Sequence, residues 1–400
     1  MAFVKLNFDF RDLLLAPRLA LSGKKILIFI KGNIAGYISY WFCSLLSLAS
    51  SKMSIEEIIF KYGLYPSLFG HSAEWYSWLI YLIGITLWSF SILLSSTAVS
   101  RITLKQLKGN EFYSGSESWA FATKNWQSVV LSPFAILIII IFFLILAFIF
   151  SLVGKLLFIG DIIFSLSYII LFLGGIFTLL TVLVLISSVL YTPSIIGMYE
   201  EDVLGSVFHS YSITFSQIWR IIVYNILLFS MTFIGLEIYS WFTLNSIGLI
   251  NYIFGHDLLL GEKFNQINSY ALNLVLPDFI YERLFDIKQN ILEFFRLDFA
   301  IPHIFSLKNE IVIPTKISSV HTFAGILLSL SYFIIGLSIL SYGLSIIFVG
   351  ESLMFITFKK LSDDDNLILR KDSDEIEEEK REKNGTDINI LLPTSSNEEE

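Results

Sequence analysis

Residues 200–210 hold a distinctive group of side chains able to do chemistry. Glu200, Glu201 and Asp202 stand in succession, and His209 and Ser210 follow. Carboxylates beside an imidazole and a hydroxyl can supply general acid–base or nucleophilic groups. Such a set would act on lipid only if a polar cavity joined it near the membrane surface. Facing bulk water, the same acids serve as caps for the next helix. Trp219 and Arg220 close this segment, with the indole placed as an interfacial anchor. Glu237 interrupts an otherwise apolar stretch, and an ionisable residue inside a span would mark an ion or proton path. The reading puts Glu237 near the outer interface beside Tyr239 and Trp241, and puts Lys31 and Glu351 near helix ends.

Four histidines, His71, His256, His303 and His321, fall on one predicted side with Glu74 and Asp257. Imidazole and carboxylate are common metal ligands. These residues come from separate segments and lack the i,i+4 spacing of a helical ligand pair, so no metal site is expected. Cys43 is the only cysteine. An intramolecular disulfide and a thiolate cluster are thereby excluded. No P-loop, HExxH, GxSxG or paired CxxC pattern occurs. No cofactor is expected, and the reading favours a protein that is not an enzyme.

These residues must be positioned by a membrane body. Hydrophobic residues make up 55% of the 400 and charged residues 16%, with 37 phenylalanines. That leaves too little polar surface to coat a water-soluble protein. A span needs about 20 mostly apolar residues. Six windows qualify, and helices are predicted at roughly 30–50, 76–100, 128–152, 163–190, 219–243 and 322–348. The fourth window, 162–199, is read as one long helix bent near Pro193. Residues 361–400 hold 14 acids and 5 bases, while the other 360 residues hold 21 and 22. The acidity therefore sits in one tail, and no clustered basic face marks a nucleic-acid partner.

The expected fold is an all-α polytopic helical bundle of about six transmembrane helices. It divides into an N-terminal interfacial segment (1–24), the six-helix domain (25–358) and an acidic tail (359–400) read as largely disordered. The outer loop 251–320 is expected to carry an amphipathic cap helix over about 279–297, started by Asp278. Ser54 and Glu57 form a capping-box pair before another short outer helix. One set of segments carries 18 Lys and Arg against 9 on the other side. The positive-inside rule then places both termini in the cytoplasm.

Small residues mark packing faces. Gly32 and Gly36 form a GxxxG pair in the first span. Gly336, Gly343 and Gly350 recur every seven residues in the last, which places them on nearly one helix face.

The order Pro193, Glu200, Ser210, Trp219 resembles an elbow in six-helix bacterial membrane proteins related to the membrane domain of glycerophosphodiester phosphodiesterases. There a Pro and an acid precede an amphipathic segment with Ser, and a Trp opens the next span. The likeness covers about 40 residues. His209 replaces the usual Arg, and no phosphodiesterase catalytic sequence follows. The resemblance implies a six-helix architecture in a cell membrane, taken as a bacterial inner membrane, and enzymatic activity does not carry over with it. The loop 101–128 has the same layout, with Trp126 opening the following span, which points to a parallel repeat of two helical units.

The expected role is that of a non-enzymatic scaffold or accessory subunit. Its partners would be membrane lipids, other membrane proteins or a cytoplasmic partner of the tail, and not nucleic acid. A transporter or channel for a small solute is the alternative, and a membrane-embedded lipid-modifying enzyme is a second.

Overall fold

The structure is a computed structural model of the chain and describes residues 6–51, 53–69, 72–156, 159–294 and 318–376. A 3-10 turn at Phe10–Leu15 leads into α1 (Ala16–Ala20), α2 (Gly23–Ser50), α3 (Ile55–Tyr62), α4 (Trp75–Leu107), α5 (Gly115–Lys124) and α6 (Trp126–Gly154). Then follow α7 (Ile159–Ser194), a π turn at Ile195–Tyr199, α8 (Val203–Phe254), α9 (Glu262–Val275), α10 (Asp278–Phe294) and α11 (Ser319–Asp363). Among the described residues, α2, α4, α6, α7, α8 and α11 are long and apolar enough to cross a membrane. The chain is an all-α, six-span membrane bundle.

Where each span sits follows from its apolarity. Ordered from the least apolar span to the most apolar, the buried share falls from 33% in α2 to 11% in α6 and α7. Polar side chains must find partners inside the protein, because lipid offers none. α2 and α4 therefore form the centre. α6 and α7 project as a hairpin, with Leu144, Phe148, Ile169 and Phe172 exposed for lipid to cover.

α2 and α4 approach closely through glycine. A Cβ on Gly32 would collide with the Ser95 hydroxyl, and one on Gly36 would collide with Trp88. Ser91 donates to the Gly32 carbonyl at 2.6 Å, and the Trp88 indole donates to Asn33 at 3.1 Å. In α11, Gly343 lies against Leu236 and Gly350 against Leu228, both from α8. Gly336 departs from the expected stripe, because nothing lies within 4 Å of a Cβ there. Gly336 is exposed there, while Phe333 and Leu337 turn the other side of α11 into the bundle.

All six helices outrun the predicted limits, because a charged residue marks the membrane edge and not the helix end. α4 carries Arg101 and Lys105 in its closing turns, and α11 continues to Asp363. Glu351 consequently stands well inside a helix, where a helix-end position was expected.

The N-terminal segment is also more deeply placed than an interfacial position implies. Leu13, Ala16 and Ala20 are buried in the main core. Ser345 donates to the Ala20 carbonyl at 3.0 Å, and Lys25 donates to the Leu19 carbonyl and to Gln106. Asp12 is buried because it accepts the Asn7 and Phe8 amides.

Two elbows share one layout. After α4, Ser114 and Glu117 cap α5 reciprocally, the chain breaks at Asn125, and Trp126 opens α6. After α7, Asp202 caps a short polar helical stretch, Gln217 breaks the helical geometry (φ −130°), and Trp219 stands at the start of the next span. Pro193 lacks an N–H and so leaves a carbonyl without its helical donor. The π turn that follows re-aims the chain toward the bundle centre.

On the opposite face, Ser54 and Glu57 bond reciprocally before α3. α10 is the expected amphipathic helix, whereas α9 was not foreseen. Tyr332 of α11 donates to Asn251 and Asn268, which ties the end of α8 and α9 to the last span. Residues 295–317 of this loop lie outside the described residues.

Candidate functional site

The face that carries residues 6–22 and 364–376 holds most of the polar chemistry. Arg101 and Lys105 in the last turns of α4 and Lys108 at its C-cap lie at i, i+4 and i+7, so one face presents all three. Opposite them, Asp372 starts a short helical turn over residues 373–376, and its carboxylate accepts the Glu375 amide at 3.2 Å. This turn directs Asp372, Asp374 and Glu375 onto the α4 cations.

The contacts are close and shielded. Arg101 donates to Asp374 at 2.6 Å and to Glu200 at 2.6 Å. Lys105 reaches Asp372 at 2.7 Å and Asp374 at 3.1 Å. Lys108 reaches Asp372 at 3.2 Å and Glu375 at 3.0 Å. The Arg101 side chain is 0% exposed and Lys105 4%. The Phe121 ring of α5 covers the guanidinium at 4.4 Å. Burial alone would raise the carboxyl pKa of Asp372. The Lys105 hydrogen bond and the Arg101 and Lys108 charges outweigh it and hold Asp372 below the usual carboxylate range. Asp374 is depressed likewise, mainly by Arg101 against its burial.

Glu200 completes the network from the second elbow. Its backbone is left-handed (φ 62°), a conformation that disfavours a residue with a Cβ. The position lets its carboxylate accept both from Arg101 and from the Ser373 amide and hydroxyl. Tyr199 stabilises the same segment, with the Arg370 guanidinium 3.9 Å from its ring centre and its hydroxyl donating to Asp365 at 2.9 Å. A cavity of about 180 Å³ lies beneath, lined by Met198, Tyr199, Glu200, Arg370, Asp372 and Ser373.

The other elbow residues separate into different tasks. Glu201 lies 3.5 Å from His209, whose second ring nitrogen meets Lys359 at 2.8 Å. Lys359 also pairs with Asp363. Asp202 caps α8 through the Gly205 amide at 2.8 Å. Ser210 donates to the Ser206 carbonyl within its own helix. Trp219 is exposed and stacks with Arg220 at 4.9 Å. Glu237, read as an interfacial acid, forms an ion pair with Lys288 of α10 at 2.9 Å. Glu200 is thus held by Arg101, Glu201 by His209 and Asp202 by the start of α8, so the three acids do not act on one shared group.

Deeper in the bundle lies a polar belt that the sequence did not reveal. Ser352 donates to Ser100 at 3.0 Å and lies 3.2 Å from Ser194, which joins α11, α4 and α7. Beside it, Asn225 of α8 donates to the Tyr191 hydroxyl at 3.3 Å, and that hydroxyl points to the Met354 sulfur at 3.4 Å. Glu351 faces Tyr191 and is 0% exposed. The available signal was its place within a helix that continues for 12 further residues.

Among the described residues no group of three or more His, Cys, Asp or Glu is placed to hold a metal ion. His71 and His303 lie outside them, and His256 accepts the Leu258 amide. No known protein family, curated protein or solved structure matches the chain. The relation to the glycerophosphodiester phosphodiesterase membrane domain therefore gains no support from comparison. The chain is a polytopic membrane protein with no identifiable catalytic or cofactor-binding motif.

Proposed function

We propose that the protein is a non-enzymatic membrane scaffold or accessory subunit that binds lipid and protein partners and uses its C-terminal segment as a latch on the cytoplasmic face. The ion network between α4 and residues 372–375 carries this reading. Acids that would do chemistry are committed to other tasks, since Glu200 and Asp374 neutralise Arg101 and Asp202 caps a helix. The network holds residues 372–375 against α4, directly before the acidic remainder of the tail in sequence, and so defines a partner-facing position. The exposed α6–α7 hairpin gives lipid or a second membrane protein an apolar face. The excess of Lys and Arg on the latch side supports a cytoplasmic location for it.

The test is reconstitution and co-purification. The protein recovered in mild detergent should carry a stoichiometric partner that falls away when Arg101 and Lys105 are both replaced by Gln. Proteoliposomes should show neither saturable solute flux nor lipid turnover. Saturable flux or turnover would overturn the reading. Labelling of single cysteines placed at Ser373 and Leu260, in a Cys43→Ser background, reports the orientation. Reaction of position 373 from the outside of intact cells would overturn the cytoplasmic placement.

A further inference from the structure

Glu351 is a carboxyl group without a hydrogen bond. Both its oxygens are buried and neither has a partner among the described residues. The Asn225 amide oxygen shares that condition. The Asn225 orientation is fixed, because its nitrogen already donates to the Ile221 carbonyl at 3.0 Å and to Tyr191. Exchanging its oxygen and nitrogen would set two oxygens against each other at the Ile221 carbonyl. Three buried acceptor atoms thus lie on two residues that interact with Tyr191, whose hydroxyl is directed at the Met354 sulfur although it stands near enough to Glu351 to donate there instead.

A buried acceptor without a donor is costly, and a buried bare charge far more so. No cationic side chain interacts with Glu351 among the described residues. The neighbouring cations, Arg101 and Lys105, are committed to the latch. A protonated carboxyl is itself a donor, so a proton would satisfy its own oxygen and one neighbouring acceptor and leave one acceptor unmet. A bound cation can contact several oxygens at once. A divalent ion would leave a net positive charge in the bundle and would require six to eight oxygens. A monovalent ion balances the single carboxylate, and carboxylate, amide and phenol oxygens are the hard donors that such ions take.

We propose that Glu351 and Asn225, beside the Tyr191 hydroxyl, hold one monovalent alkali cation that joins α7, α8 and α11 inside the bundle. The site stands whether or not the protein acts as a scaffold, because it concerns the stability of the bundle itself.

Thermal unfolding of the purified full-length protein in detergent tests it. Melting is followed in choline chloride, NaCl and KCl at equal ionic strength. Wild type should melt several degrees higher in NaCl or KCl than in choline, with a saturable dependence on the ion. Glu351→Gln keeps the volume, removes the charge and supplies an amide donor. It should lose the ion-specific shift and melt in choline at or above the wild-type temperature. Asn225→Leu should need at least tenfold more ion for half the shift, and it decides the matter if Glu351→Gln does not fold. Equal wild-type melting in all three salts would overturn the site. So would an unchanged ion response in the folded variants.

Discussion

The Arg101 guanidinium meets the Asp374 carboxylate at 2.6 Å across 273 residues of sequence. Their union closes one face of the bundle, because α4 supplies only cations there and the C-terminal turn supplies only anions. Glu200 enters the same cluster from the elbow after α7, so three distant segments meet on one guanidinium.

Removing Arg101 should be the most damaging single change at this face. Arg101→Ala leaves Glu200, Asp372 and Asp374 facing one another. The expected loss is roughly 3 kcal/mol, near the lower end for breaking a buried ion pair, since Asp374 and Glu200 stay partly exposed. Thermal or denaturant unfolding in detergent measures it. Arg101→Lys should recover part of the loss and no more, because an ammonium cannot form the forked contact.

Acid should release the latch only late. The pKa values of Asp372 and Asp374 are depressed in the folded protein. A depressed carboxyl contributes its stabilisation above its unfolded value of about 3.9 and loses it as pH falls through the lower folded value. Docking of residues 366–376 should therefore be constant between pH 7 and about pH 5. It should weaken only below about pH 4. Protease cleavage within the segment, followed against pH with an acid-tolerant protease, reports this. Release centred near pH 6 would contradict it.

Glycines in the spans should answer oppositely to substitution. Gly32→Val forces a side chain into Ser95 and should destabilise the bundle by a few kcal/mol, within the range for overpacking. Gly336→Ala meets open space and improves helix propensity, so it should stabilise by up to about 1 kcal/mol. Comparison of melting temperatures for the two variants separates a packing glycine from an incidental one.

The Glu237–Lys288 pair should matter little. Both side chains are partly exposed, at 19% and 30%. Glu237→Gln is expected to cost less than about 1 kcal/mol, and added salt should reduce the difference further. Unfolding at low and high NaCl gives the answer.

The six spans could be read directly because twenty apolar residues in a row have no other stable solution, and α2 through α11 follow the predicted order. Helix ends could not be read the same way. Arg101 and Glu351 break an apolar window, yet each lies inside a continuing helix, since a helix needs no change of solvent to go on. The latch was hidden for a different reason. Asp372 and Lys105 are 267 residues apart, and an acidic run looks the same whether it is solvated or docked. The elbow acids were found, but their partition among Arg101, His209 and a helix cap is decided by tertiary contacts. The belt around Glu351 depends on three helices meeting, and no local pattern announces that.

Hydrogen exchange across residues 366–376 tests the central claim most directly. The Ser373 amide bonds to Glu200, the Glu375 amide to Asp372, and the Ile376 amide to the Asp372 carbonyl. These amides should exchange at least about tenfold more slowly than an unstructured chain, corresponding to roughly 1.4 kcal/mol of protection. The protection should vanish when Arg101 and Lys105 are both replaced by Gln. Exchange at unstructured rates in the wild-type protein, or equal protection in that double variant, would contradict a C-terminal segment held by the α4 cations.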